Sequence, residues 1–212
     1  MIKIFVFSPF QVNTVLLYDE SRQCVIIDPA CYEKKEEEIL VDYVIDNGLT
    51  VKMVLNTHCH IDHIFGNNFL TNEFNIPLKA HNDSLLFIEK AKEFAEAFGF
   101  EVNEQVTPQY FLKEGDIIKF GNQELEVIYT PGHADGSICF YQRKDGFLLC
   151  GDVLFKSGIG RTDLPTGDYD KLIKNINDKL MVLPDDVVVY PGHGPETTIG
   201  EEKRNNPFLN NI

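Results

Sequence analysis

Three histidines and an aspartate crowd into one short stretch, Thr57-His58-Cys59-His60-Ile61-Asp62-His63, directly after an apolar run. Imidazole is the commonest protein ligand for transition metals, and carboxylate oxygen suits the same borderline cations. In an extended turn, residues two apart point the same way, so His58 and His60 can grip one ion. A bend after them lets Asp62 and His63 turn toward a second. A chance match to this spacing is expected in well under about one chain in a thousand. Two further histidines arrive by one device, a Pro-Gly turn at the end of an apolar strand: Val127-Ile128-Tyr129-Thr130-Pro131-Gly132-His133 and Val187-Val188-Val189-Tyr190-Pro191-Gly192-His193. Asp152 follows the run Phe147-Leu148-Leu149-Cys150-Gly151 in the same way. Strand ends are where ligand sites gather, and one carboxylate between two cations can bridge ions held about 3.5–4 Å apart.

Other reactive residue types read differently. His81 follows Pro77-Leu78-Lys79-Ala80 and precedes a helix, so it reads as a cap or surface residue rather than a ligand. Cys59 lies between two ligands, but the alternation that aims His58 and His60 inward aims it away. Asp28 ends a strand before Pro29, where it could support the motif loop or a ligand histidine, or simply close a strand.

The elements that must position these residues can be read from periodicity. Ile2 to Phe7, Asn13 to Asp19 and Gln23 to Asp28 are strand-like runs separated by turn residues. Residues 32–47 switch to helical spacing, with Ile39, Leu40, Tyr43 and Val44 on one face and Gly48 as the stop. Lys52 to Leu55 is a short buried strand. Helices are expected over 64–74 and about 83–98, strands over DIIKF, ELEVIYT, SICFY and GFLLC, and then a helix near 168–181. A strand at 187–190 and a helix near 197–206 close the chain. Two sheets packed face to face with helices outside would cover every apolar face, and no linker divides the chain into two domains.

Bulk properties exclude some partners. Lys and Arg total 19 against 33 Asp and Glu, a net charge of −14, and so acidic a surface repels nucleic acid phosphates. The N-terminal run MIKIFVFSPFQVNTVLLY is interrupted by Pro9, Gln11 and Asn13 and reads as two strands, not a signal peptide or membrane anchor. The five cysteines (24, 31, 59, 139 and 150) are odd in number, without disulfide-like spacing, which fits a reducing cytoplasm. Oligomeric state leaves no mark on the sequence.

The series H-x-H-x-D-H, Pro-Gly-His, Gly-Asp and Pro-Gly-His resembles that of the metallo-β-lactamase-fold hydrolases, and most nearly the type II glyoxalases, or hydroxyacylglutathione hydrolases. The likeness runs from Asp28 to His193 and includes Gly151-Asp152-Val153-Leu154-Phe155 with Gly160-Arg161-Thr162-Asp163 after it. It implies an α/β fold, a four-layer αββα sandwich of two mixed sheets flanked by helices. It also implies two divalent metal ions per chain, with zinc the first expectation and iron or manganese the others. The resemblance puts His58, His60 and His133 on one metal, Asp62, His63 and His193 on the other, and Asp152 between them. Only Gly194 to Ile212 follows the last ligand, so a separate C-terminal glutathione-binding domain is not expected.

The chemistry implied is hydrolysis. Two cations lower the pKa of a bridging water from about 15.7 toward about 7, Asp62 orients the resulting hydroxide, and Asp152 bridges. A thioester suits such a site, because a thiolate of pKa near about 8.5 leaves without a general acid. The resemblance to the type II glyoxalases then implies a small thioester like S-D-lactoylglutathione as the substrate. The resemblance also implies that the loop after Asp152 borders the site, where Arg161 or Lys156 could hold a substrate carboxylate. Tyr110 and Phe111, read as loop residues, could line the same cleft. The alternative is a persulfide dioxygenase of the same fold, which holds one iron through the equivalents of His58, His133 and Asp152. True metallo-β-lactamases of the commonest kind place a cysteine where Asp152 stands, and flavodiiron oxidoreductases usually place Glu where His60 stands. Neither pattern matches.

Overall fold

The computed structural model describes residues 1–209. The first sheet contains, in spatial as in chain order, β1 (Ile2–Phe7), β2 (Val12–Tyr18), β3 (Gln23–Ile27), β4 (Thr50–Leu55), β5 (Leu78–His81) and β6 (Tyr110–Leu112). Its first three strands pair antiparallel and the rest parallel, so the sheet is mixed. The second sheet is built from β7 (Ile117–Phe120), β8 (Gln123–Tyr129), β9 (Ile138–Gln142) and β10 (Phe147–Gly151). A small hairpin, β11 (Leu154–Phe155) and β12 (Gly158–Ile159), follows. Then β13 (Val188–Pro191) joins the far side of β10 in parallel, with β14 (Thr197–Thr198) beyond it.

Strand periodicity explains how the layers stack. Along β2, Val15 and Leu17 point into the core between the sheets, while Val12 and Leu16 point to the opposite face. The central core joins these residues with Val25, Leu55, Leu125, Val127, Phe140 and Leu149 from both sheets. The outer face of the first sheet is covered by α1 (Lys34–Asp46) through Leu40 and Val44, and the outer face of the second by a later helix through Leu172 and Ile176. The molecule is thus an αββα sandwich of two mixed sheets.

Several elements depart from the periodic reading. The helix expected over 64–74 is two pieces, α2 (Ile61–Ile64) and α3 (Asn67–Glu73). They part at Gly66, whose N–H donates to the Pro29 carbonyl, and a Cβ there would lie 2.7 Å from Cys31 Sγ. The helix expected over 83–98 is a 3-10 turn at Asn82–Ser84, then α4 (Leu85–Glu89) and α5 (Ala91–Ala97), broken at Lys90. The helix expected near 168–181 is α6 (Tyr169–Asn175), widening into a π turn over Ile176–Leu180. A last helix, α7 (Ile199–Asn205), packs beside β14. Ile39, placed on the buried face of α1 by spacing, is 42% exposed. No helix among the described residues is long and apolar enough to cross a membrane.

Four strand ends converge on one edge of the sandwich. The turn after β4 carries His58 to His63, the turn after β8 carries His133, β10 delivers Asp152, and β13 delivers His193.

Candidate metal centre

The loop after β4 is held open by buried polar clamps rather than by regular structure. Asn56 Nδ2 donates to the His63 carbonyl at 3.1 Å, and Asn67 Nδ2 donates to Asn56 Oδ1 at 2.8 Å. The two Pro-Gly-His turns, alike in sequence, need their glycines for different reasons. Gly132 has φ 138°, a conformation open mainly to glycine, and a Cβ there would meet Leu172 backbone at 2.4 Å. At Gly192 the demand is space, since a Cβ would lie 2.2 Å from Asp152 Oδ1 and 2.7 Å from His63 Cε1. The second turn must let two other functional side chains pass against its backbone.

Two groups of donor atoms result. His58, His60 and His133 each bring one atom to within 4.8 Å of the others, and Asp62, His63 and His193 do the same. Asp152 lies between the groups: its Oδ2 is 3.8 Å from His133 Nε2 and 3.5 Å from His193 Nε2, and its Oδ1 is 3.4 Å from His63 Nε2. Asp62 Oδ2 is 3.4 Å from His193 Nε2 and 3.7 Å from His63 Nε2.

The far nitrogens of the rings show what the near ones can do. His133 Nδ1 donates to the Arg161 carbonyl at 2.7 Å, and His193 Nδ1 to the Phe10 carbonyl at 3.0 Å. His63 Nδ1 lies 3.0 Å from Asp28 Oδ2. Thr57 Oγ1 gives its only proton to Asp28 Oδ2 at 2.6 Å, so it accepts from His58 Nδ1 at 3.1 Å. In their neutral forms, all four rings therefore carry the proton on Nδ1 and turn the lone pair of Nε2 inward, the tautomer a metal requires. Nε2 of His58 and of His60 are buried without any hydrogen-bond partner, and the buried Nε2 of His63 meets only the carboxylates of Asp152 and Asp62, beyond good hydrogen-bond reach. Buried polar atoms left unpaired are costly. Between His133 Nε2 and His60 Nδ1, 2.9 Å apart, a proton or a cation must sit. These residues fit divalent metal ions by donor type, tautomer and vacancy of partners.

Asp28 also groups geometrically with His58 and His63. Its oxygens are already engaged, Oδ1 by the Thr57 N–H at 2.7 Å and Oδ2 by Thr57 Oγ1 and His63 Nδ1. It therefore acts as a buttress to both groups, directly to His63 and through Thr57 to His58. It does so from a left-handed backbone, φ 48°.

Charge divides the centre. Burial holds His58 well below the ordinary histidine range, His60 down to about 3, and His133 lowered as well. Burial acts the same way on His63 and His193. There the carboxylates win: Asp152, Asp62 and Asp28 hold His63 well above the usual range, and Asp152 and Asp62 raise His193 to about 9. Burial opposes ionisation of Asp62 and Asp152 too, yet the neighbouring histidines keep both below the usual carboxylate range.

A cavity of about 210 Å³ opens over the centre, lined by His60, Asp62, His133, Asp152 and His193 together with Arg161, Leu164, Pro165 and four phenylalanines. Of the four residues suggested for this cleft, only Arg161 lines it. Lys156 is exposed on the turn of the β11–β12 hairpin and does not reach the cavity. Tyr110 and Phe111 belong to edge strand β6, not to a loop, and Tyr110 faces a separate surface cleft with Asn75 and Pro77. His81 caps the 3-10 turn, accepting from the Asp83 N–H at 3.2 Å, and stacks on Tyr129. Cys59 is fully buried in an apolar cluster that pushes its thiol up to about 12. In the sequence Phe94 reads as part of a helical apolar stripe with Leu86 and Ile88, and nothing marks Phe10, Phe87 and Phe98 as cavity residues.

The family model described as the metallo-beta-lactamase superfamily matches residues 7–193. A hydroxyacylglutathione hydrolase, GloC, of Haemophilus influenzae is 39% identical over 99% of this chain and 98% of its own length. Among solved structures, BLEG-1 B3 metallo-beta-lactamase superposes with a TM-score of 0.91 at 34% identity, covering 99% of this chain and 100% of its own. TTHA1623 in a di-iron-bound form gives 0.86 at 32%, covering 98% and 100%. ETHE1 from Myxococcus xanthus gives 0.80 at 29%, covering 98% and 83%.

Proposed function

The chain belongs to the metallo-beta-lactamase superfamily, and within it we propose a dinuclear metal hydrolase that cleaves a small thioester. The observation that carries this reading is the placement of Asp152, whose carboxylate lies within 3.8 Å of histidine nitrogens of both donor groups. In this reading His58, His60 and His133 would hold one divalent cation, Asp62, His63 and His193 the other, and Asp152 both. Such a pair would polarise the scissile carbonyl and acidify water at neutral pH. Zinc is the first expectation, and the solved relative in a di-iron-bound form keeps iron in view.

The chain's own residues supply the rest. Asp62 lines the cavity and stays ionised because His63 and His193 hold its pKa low, so it can accept a hydrogen bond from the attacking water and orient it. His133 and His193 are kept from turning by the Arg161 and Phe10 carbonyls. Among the residues lining the cavity, those outside the proposed ligand set are apolar apart from Arg161, and none is a proton donor suited to an amine leaving group. A thiolate, with a parent pKa of about 8.5, needs none. The kinship with a hydroxyacylglutathione hydrolase supports the thioester assignment. The five cysteines are buried and free, which suits a reducing compartment and so the cytoplasm.

Elemental analysis of protein purified without added metal, alongside S-D-lactoylglutathione hydrolysis, tests the proposal. About two metals per chain with thioester cleavage is the expected result. One iron per chain, with oxygen uptake on glutathione persulfide and no thioester cleavage, would replace it with the mononuclear dioxygenase.

A further inference from the structure

The cavity over the centre has an unusual wall. Phe10, from the β1–β2 turn, and Phe87, Phe94 and Phe98, from the segment of α4 and α5, face the same space as the donor groups. Phe98 remains 47% exposed and so keeps ring surface that an apolar group could cover. Phe10 is set deliberately. It sits in the β1–β2 turn between two left-handed residues, Ser8 (φ 62°) and Gln11 (φ 57°), and the Ser8 N–H donates to Glu36 Oε1 at 2.7 Å. Strained backbone of this kind persists where the surroundings over-determine it. The Phe10 ring is braced by Phe100 at 4.9 Å and by Phe98 at 6.0 Å, while its carbonyl orients His193.

Charged recognition is poorly provided for. Arg161 is the one cationic side chain lining the cavity apart from the histidines, and its guanidinium is paired with Asp163 through two hydrogen bonds of 2.7 Å. That pair takes two of the five guanidinium N–H donors and balances the positive charge, which weakens its pull on a substrate carboxylate. A net charge of −14 further disfavours an anionic substrate.

We infer that this site selects its substrate by a short hydrocarbon or aryl group beside the scissile carbonyl, held against Phe10, Phe87, Phe94 and Phe98, rather than by substrate carboxylates. The inference rests on the thioester-hydrolase reading. At about 210 Å³ the cavity is smaller than the roughly 300–1,000 Å³ of pockets that enclose drug-sized ligands, so the group is short and not a long acyl chain.

The test has two arms, because the apolar group can arrive on either side of the scissile bond. One series keeps an uncharged thiol, N-acetylcysteamine, and lengthens the acyl group from acetyl through butyryl to phenylacetyl; the other keeps acetyl and varies the thiol from N-acetylcysteamine to benzyl mercaptan. In at least one arm kcat/KM should rise about fourfold per added methylene until the cavity is full, and exceed that for S-D-lactoylglutathione. Phe98→Ala should flatten that slope, chiefly through KM, with a much smaller effect on the acetyl ester, and Phe98→Leu should restore part of it. Flat responses in both arms, or a preference for S-D-lactoylglutathione over every uncharged apolar thioester, would overturn the inference. If no thioester is cleaved, the hydrolase reading falls, and calorimetric titration of ketone analogues with a methylene in place of sulfur still decides the pocket. Affinity rising with apolar area keeps the assignment, and flat affinity removes it.

Discussion

The two corners of the centre are assembled by the same device and differ in charge. Both take side chains from the turn after β4 and from a Pro-Gly-His strand end. In the His58, His60 and His133 corner, burial leaves three neutral rings. In the Asp62, His63 and His193 corner, carboxylates overcome the same burial and keep the two rings protonated. One corner offers lone pairs to a cation, and in the other, without metal, the carboxylates favour the protonated rings. The lesson is that ligand geometry alone does not set how a metal enters. The carboxylates decide whether it meets an open site or must displace protons.

Asp152 belongs to both corners, so its removal should have the largest effect. Asp152→Ala is expected to lower kcat/KM by more than the roughly 10²–10³-fold that loss of one preorganised donor costs, and to reduce metal content at both corners in elemental analysis. Survival of near-normal turnover would mean that the corners work separately, and the bridging assignment would be wrong. His193→Ala offers the contrast, with loss of one metal equivalent while the neutral corner keeps its own.

A smaller effect is expected at Asp28, which supports both corners without facing the cavity. Asp28→Asn keeps the size of the side chain but removes the charge shared by His63 Nδ1 and Thr57 Oγ1. Metal affinity should fall about 10–100-fold, as is usual when the partner of a ligand is lost, with the larger loss at the corner containing His63. Chelator competition followed by activity measures it. An equal loss at both corners would show that the path through Thr57 to His58 matters as much as the direct bond.

What could be read from sequence follows the physics of each region. The seven donor residues stand out because metal chemistry restricts residue type and spacing, and apolar runs announce the strands that carry them. The buttress at Asp28 is only half visible: its position at a strand end can be read, but its φ of 48° and three hydrogen bonds arise from tertiary packing. Strands β5 (LKAH) and β6 (YFL) are too short and mixed for a period to show, which is why Tyr110 looks like a loop residue. The break at Lys90 has no proline or glycine to mark it. The phenylalanine wall is hidden for a different reason. Phe10 lies far along the chain from Phe87, Phe94 and Phe98, and an aromatic residue carries no sign of whether it faces a core or a cavity.

The charge difference itself can be measured through protons. His193, raised to about 9 in the metal-free protein, holds its proton below that pH, and His63 is raised as well. A cation entering their corner at neutral pH must therefore release one or both protons, and its apparent affinity should fall about tenfold per pH unit per proton as pH drops below about 9. Above the raised pKa the competition ends. At the other corner His60 is held near 3 and His58 lower than usual, so both are already deprotonated and binding should be nearly independent of pH across the neutral range. Calorimetric titration of the metal-free protein with zinc, in buffers of different ionisation enthalpy, counts the protons for each equivalent. Close to zero for one and one to two for the other is the expected pattern. Equal release at both would show that the shared Asp152 couples the corners so tightly that they titrate as a single site.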